Sequence, residues 1–261
     1  MRNHSPMQHA APEHFERDPR TPVSEGLSVE WLGRVPYADA LSIQREAVAA
    51  RLAGRTPDRL LLLEHPAVIT LGRSTDRANL RCDEAQLREA GTELFEVGRG
   101  GDVTYHAPGQ LVGYPIIDLN ALGRRDVHAH LRTLEAGLIA ALDELGVEAR
   151  RVPGWTGVFV DRAANVEGAG RERKLASIGV GVRRWVTFHG FALNVTIDLA
   201  GFDSIVPCGL RDVEMTSVAL ETARAEGVGL LSPAWHSAID ERVREVVGRC
   251  MRNHLGKRDD A

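Results

Sequence analysis

The stretch 126–146, DVHAHLRTLEAGLIAALDELG, constrains the fold more than any other. Val127, Leu131, Leu134, Leu138, Leu142 and Leu145 recur at helical spacing and make one apolar stripe, ended by Gly146. A helix with one apolar face has to bury it against another layer. The runs around it supply that layer, because most of them read as strands. LSVEWLG alternates, and RLLLLEHPAVITLGR gives two strand-like runs broken at His65-Pro66. LVGYPIIDL, GVFV, KLASIGVGV and RWVTFHGFALNVTID continue the series. PYADALSIQREAVAARLAG is a second helix, with Leu41, Val48 and Leu52 among its apolar positions and Gly54 as its stop. A last helix begins at Pro233 behind an N-cap at Ser232, and its stripe takes in Ile239, Val243, Val247, Cys250 and Met251. Strands outnumber helices and are interleaved with them. The expected class is α/β of the α+β type, a single mixed-sheet domain with packed helices.

That domain is expected over residues 27–257. Residues 1–26 are rich in Pro, His and charge and poor in aliphatics, the composition of a disordered extension, and 258–261 form a short polar tail. His4, His9 and His14 are metal-ligand types, but on this composition a solvated tail is by far the favoured reading. Within the domain, DRAANVEGAGRERK reads as a long polar insertion, a hairpin loop. The 261 residues are 43% hydrophobic, enough for a substantial core. A net charge of -4 gives no general field for nucleic acid, and no apolar run approaches the ~20 residues of a membrane helix. There is no signal-peptide h-region and no CxxC pair, so a reduced, cytoplasmic setting is expected. Of the three cysteines, Cys250 reads as core filling and Cys82 has no evident role.

The third cysteine stands apart. In SIVPCGLRD, Cys208 lies between a proline that fixes φ and a glycine that tolerates unusual angles, so it is expected at a sharp bend that presents its thiol. A free thiol titrates near ~8.5, and an ammonium ~4 Å away at an effective dielectric of ~20 offers about 4 kcal/mol toward thiolate before desolvation. Lys174, at the start of KLASIGVGV, is the candidate partner, although a lysine at a strand start is commonly just solvated. VGRGGDVTYHAPGQLVGYP brings Gly98, Gly100, Gly101 and Gly109 together and matches neither GxGxxG nor a P-loop. Its bland reading is a tight hairpin; its functional reading is a ligand-binding loop carrying Tyr105 and His106. In FHGFALNV, glycine beside His189 suggests a bulge or a close approach, with His189 either a ligand contact or structural.

RGGDVTYHAPGQ, KLASIG, HGFALN and PCG, in that order across about residues 59 to 220, resemble the octanoyltransferases. The combination is specific where each motif alone is weak. The resemblance implies the fold of the biotin and lipoate protein ligase catalytic domains. It implies transfer of an octanoyl group from octanoyl-acyl carrier protein to a lysine of lipoyl domains, those of 2-oxoacid dehydrogenases and the glycine cleavage H protein. Transfer would pass through a thioester on Cys208, with Lys174 lowering the thiol pKa and shuttling protons. Acyl-binding segments would be Arg99, Gly100, Gly101, Asp102, Val103, Thr104, Tyr105 and His106, then Ser177, Ile178 and Gly179, then Gly190, Phe191 and Ala192. No ATP or metal is expected, nor any nucleic acid or membrane partner, and the chain is expected to be a monomer. Ala107 stands where the family often has glycine, and the insertion before Lys174 is variable.

Further expectations come with this chemistry. Backbone N–H groups of Gly100-Gly101, or near Cys208, are candidate oxyanion donors. Seven buried carbons would contribute about 5 kcal/mol at ~0.8 per methylene. Arg171, Arg173, Arg183 and Arg184 are candidates for docking an acidic carrier protein. The alternatives are an ATP-dependent ligase of the same fold, a non-catalytic acyl-binding module and a cysteine hydrolase.

Overall fold

The computed structural model describes residues 26–160, 172–209, 213–226 and 232–256. The strands are β1 (Ser28–Arg34), β2 (Arg59–Glu64), β3 (Val68–Leu71), β4 (Glu93–Glu96), β5 (Val103–His106), β6 (Gln110–Ile116), β7 (Ala149–Arg150), β8 (Val158–Val160), β9 (Glu172–Arg183), β10 (Val186–Asn194) and β11 (Val213–Met215). The helices are α1 (Tyr37–Leu52), α2 (Glu84–Glu89), α3 (Val127–Glu144), α4 (Val218–Glu226) and α5 (Pro233–Leu255). Among the described residues the larger sheet has eight strands, in the order β1-β2-β6-β10-β9-β8-β7, with β11 pairing in parallel with β9. It is mixed, since β1 runs parallel to β2 while the β2, β6, β10, β9 and β8 neighbours are antiparallel.

The two faces of this sheet explain RLLLLE, which is buried along its whole middle. Leu60 and Leu62 enter a core with α3 and α5, and Leu61 and Leu63 enter one with α1. Strand alternation under two covered faces requires such a continuous apolar run. The middle of each stripe expected on α3 and α5 is buried, Leu134, Leu138 and Leu142 on the one and Val243, Val247 and Met251 on the other, with Val127, Leu131, Leu145 and Ile239 partly covered. On α1 the buried face is Tyr37, Ala40, Gln44, Ala47 and Val48, so of the expected Leu41, Val48 and Leu52 only Val48 is buried. Ser232 caps α5, its side chain accepting from the Trp235 N–H. Cys250 fills the α5 core as expected.

A second sheet, ordered β4-β3-β5, was not separated in the sequence. It corrects the hairpin reading of the glycine-rich stretch. β5 and β6 are consecutive, yet β5 pairs with β3 while β6 pairs with β2 and β10, so the chain changes sheet between them. Gly109 makes the change, at φ +83 with its carbonyl accepting from the amides of Val195, Thr196 and Ile197. Residues 1–25 of the expected tail, the three histidines among them, and residues 161–171 of the insertion lie outside the described residues; the last three residues of the insertion, Glu172, Arg173 and Lys174, belong to β9, which pairs antiparallel with β8.

Candidate active site

Between the sheets lies a cavity of about 230 Å³. Eleven residues of the expected acyl-binding segments line it: Arg99, Gly101, Asp102, Thr104 and His106; Ser177, Ile178 and Gly179; Gly190, Phe191 and Ala192. The period of a strand decides which residues of the first segment do so. Asp102, Thr104 and His106 face the cavity, whereas Val103 and Tyr105 point the other way into the core of the small sheet, where Tyr105 meets Phe202 edge-on. Gly100 does not line the cavity either, and its N–H donates to Val180 O at 2.9 Å. The Gly209 N–H is likewise engaged, with Val206 O at 3.0 Å. Both amides are thereby removed from the expected oxyanion donors.

The glycines in these motifs make room for neighbours. A Cβ on Gly113 would lie 2.2 Å from the ring of its cross-strand partner Phe191, so Phe191 lies flat over β6 and walls the cavity. Gly190 admits the backbone of β6 so closely that a Cβ would meet Gly113 O at 2.2 Å, which is the close approach expected beside His189. His189 itself has φ 55, held there while its N–H donates to Gln44 Oε1 at 2.8 Å.

Lys174 is not a solvated lysine. It is 1% exposed and lines the cavity. Its Nζ donates to Thr156 O at 3.2 Å and lies 5.4 Å from the centre of the Phe159 ring, a cation–π contact. A bulge sets this direction. Val158 pairs with Ala176 and Phe159 with Lys174, leaving Leu175 as an extra residue on β9. Leu175 and Ala176 both enter the core, and Lys174 is turned into the cavity. Parallel β11 then places Met215 beside Lys174.

Residues 207–209 form a single 3-10 turn, the bend expected of Pro-Cys-Gly, with Gly209 at φ +68. It rests against the cavity wall, for a Cβ on Gly209 would meet Asp102 Oδ2 at 2.8 Å and Asn79 Nδ2 at 3.3 Å. Asn79 Nδ2 donates to Asp102 Oδ2 at 2.5 Å and the Asn79 backbone carbonyl accepts from the Val206 N–H at 2.7 Å, so Asn79 ties the chain entering the turn to the residue before β5. Cys208 sits on the backbone of this turn; its side chain lies outside the described part of the structure.

The far end of the cavity was largely missed. Tyr37 and Tyr114 line it beside His106 and His189, and His65 packs edge-on to His106 at 5.7 Å. His65 Nδ1 donates to Val35 O and its Nε2 accepts from the Tyr114 hydroxyl, both at 2.7 Å. Gln110 Nε2 donates to Asn194 Oδ1 and to Tyr105 O, so its Oε1 accepts from His106 Nδ1 at 2.7 Å. Burial brings His65 and His189 down to about 4 and His106 to about 3, with His65 and Arg99 adding to the fall at His106. Burial also pushes Tyr37 up to about 12. All these rings are therefore neutral at neutral pH, and His106 shapes this end as part of a hydrogen-bonded wall. Arg99 enters the cavity from the glycine loop, 8% exposed, with Nη2 donating to Thr70 O at 2.8 Å. Of the expected docking arginines, Arg183 and Arg184 are exposed, Arg171 lies outside the described residues, and Arg173 is paired with Glu221 at 2.8 Å. Among the described residues, no helix is long and apolar enough to cross a membrane.

Known proteins share this arrangement. The description "Lipoyl protein ligase A/B catalytic domain" matches residues 36–229. A protein of Solibacter usitatus named octanoyltransferase is 52% identical over 194 residues, 74% of this chain and 83% of its own. Octanoyltransferases of Geobacter metallireducens and Acidobacterium capsulatum are 50% and 49% identical, across 78% and 75% of this chain and 87% and 80% of theirs. Among solved structures, a lipoate-protein ligase A bound with ATP superposes with a TM-score of 0.59 at 20% identity, covering 89% of this chain and 86% of its own. The bipartite lipoate protein ligase of Thermoplasma acidophilum gives 0.59 at 18% identity, over 89% and 84%. Those two likenesses speak to the fold alone. The chain belongs to the lipoyl protein ligase A/B catalytic-domain family and, within it, to the octanoyltransferases.

Proposed function

We propose that this acyltransferase moves an octanoyl group from octanoyl-acyl carrier protein to a lysine of a lipoyl domain through a thioester on Cys208. The observation that carries the reading is Lys174, a lysine 1% exposed that lines a cavity walled by Val112, Ile178, Phe191 and Ala192. The turn bearing Cys208 touches the same cavity through Asp102. In the first step the Cys208 thiolate attacks the thioester carbonyl, a new C–S bond forms, and the carrier thiolate leaves with a proton from the Lys174 ammonium. In the second step the acceptor lysine gives a proton to Lys174 and its amine attacks. The amide bond forms, the C–S bond breaks, the second proton of the amine passes to solvent and the Cys208 thiolate is restored. A thioester-to-thioester exchange is nearly balanced and amide formation runs downhill, so no nucleotide or metal enters. The acceptors are lipoyl domains of 2-oxoacid dehydrogenases and of the glycine cleavage H protein.

Octanoyl transfer from carrier protein to a purified lipoyl domain, followed by the mass of the domain, tests the reading. Transfer in the absence of ATP is the expected result. Modification only with free octanoate and ATP would make the chain a ligase.

A further inference from the structure

Lys174 owes its place to a turn that carries no catalytic group of its own, and that turn is held by a buried carboxylate on α3. Glu135 is 0% exposed, though it sits on the apolar face of the helix. Its Oε1 accepts from the Gly157 N–H at 3.1 Å. Its Oε2 accepts from Arg132 Nη1 at 2.6 Å and from Arg151 Nε at 2.9 Å. Arg151 Nη2 also donates to Arg132 O at 2.8 Å, which ties the strand leading into the turn to the same helix. Gly157, so fixed, has φ +135, an angle that side chains rarely adopt. The residue before it supplies the carbonyl, Thr156 O, on which Lys174 Nζ rests. Gly157 also leaves the channel through which the lysine reaches the cavity. A Cβ there would lie 2.8 Å from Lys174 Cε and 2.5 Å from Ala176 O.

We infer that Glu135 is a positioning residue for the transfer reaction, acting through the Thr156-Gly157 peptide to set where the Lys174 ammonium stands. A carboxylate buried among apolar side chains is costly unless its partners are in place. Here those partners are two arginines and one backbone amide, and the amide belongs to the peptide that meets Lys174. The role rests on the reading of Lys174 as the proton carrier, and its test separates the two claims.

The test is the rate at which iodoacetamide alkylates Cys208, read on the Cys208 peptide so that Cys82 and Cys250 do not interfere. Four proteins are compared: wild type, Glu135→Gln, Lys174→Ala and the double variant, with thermal unfolding of each followed in parallel. Glu135→Gln is expected to slow alkylation about tenfold, since a displacement near 1 Å can cost up to ~100-fold. The double variant is expected to react no more slowly than Lys174→Ala, because a residue acting only through Lys174 has nothing left to act on. Multiplying losses in the double variant, or an unchanged rate in a folded Glu135→Gln, would overturn the role while leaving Lys174 in place. An undiminished rate in Lys174→Ala would instead overturn the reading beneath it. If Glu135→Gln does not fold, Arg151→Ala takes its place in the cycle, with a smaller loss expected and the same criterion. Glu135→Asp, whose shorter side chain keeps the charge, is expected to recover part of the lost rate.

Discussion

The two ends of the cavity are built on opposite plans. At one end stands Lys174, with a carbonyl and an aromatic face against its ammonium and a bulge that turns it inward. At the other stand Tyr37, His106, Tyr114 and His189, rings that burial keeps neutral, with His106 held by the Gln110 amide and Tyr114 by the His65 ring. In the proposed mechanism the first end handles the proton, and the second gives the cavity its shape. A site that accepts an apolar chain and exchanges a proton has reason to keep these tasks apart, because a second titrating group near the chain would bring its hydration with it.

Substitutions at the two ends are therefore expected to differ in kind. Lys174→Ala should lower the rate of octanoyl transfer about 10³-fold, within the range of general acid–base contributions and equal to about 4 kcal/mol. Single-turnover kinetics checks this, and its melting temperature should change far less than its rate. Gly157→Ala should cost about 10²-fold in the same assay, by pushing the lysine from its place. A Gly157→Ala enzyme with full activity would remove the argument that the turn sets the lysine.

The neutral end should be felt in stability as pH falls. His65, His106 and His189 are all lowered by burial, to about 4, 3 and 4, while the unfolded chain titrates them near ~6.5. Below ~6.5 the unfolded state takes up protons that the folded state refuses, so stability falls from that pH down to the folded values near 4. Between pH 7 and pH 5 each histidine should cost about 2 kcal/mol, as measured by urea unfolding. The smallest of these effects is the removal of one share: His106→Asn should reduce this pH-dependent loss by about 2 kcal/mol and leave the dependence of transfer on Lys174 intact.

Periodic features were legible in the sequence. Leu134, Leu138 and Leu142 named the α3 face, and Ser232-Pro233 named the start of α5, because caps and stripes are local signals. The motifs around Arg99, Ser177 and Gly190 named the cavity walls, and their glycines proved to be close-packing positions. The small sheet was not legible, since its strands have four residues each and β5 finds its partner in β3, on the far side of two helical segments. Tyr37, His65 and Tyr114 come from three separate elements or loops and meet only in the fold. Glu135 did leave a signal: it stands next to Leu134 and three residues before Leu138, inside the apolar stripe, where a carboxylate calls for buried partners.

The most direct test of the account is the intact mass of the protein after brief exposure to octanoyl-acyl carrier protein, without ATP and without acceptor. Wild type and Cys208→Ser are run together, each with and without hydroxylamine, which cleaves thioesters. The account predicts one octanoyl adduct on wild type, lost to hydroxylamine and absent from the variant. An adduct of equal size on Cys208→Ser, or active wild type that never carries one, would contradict it.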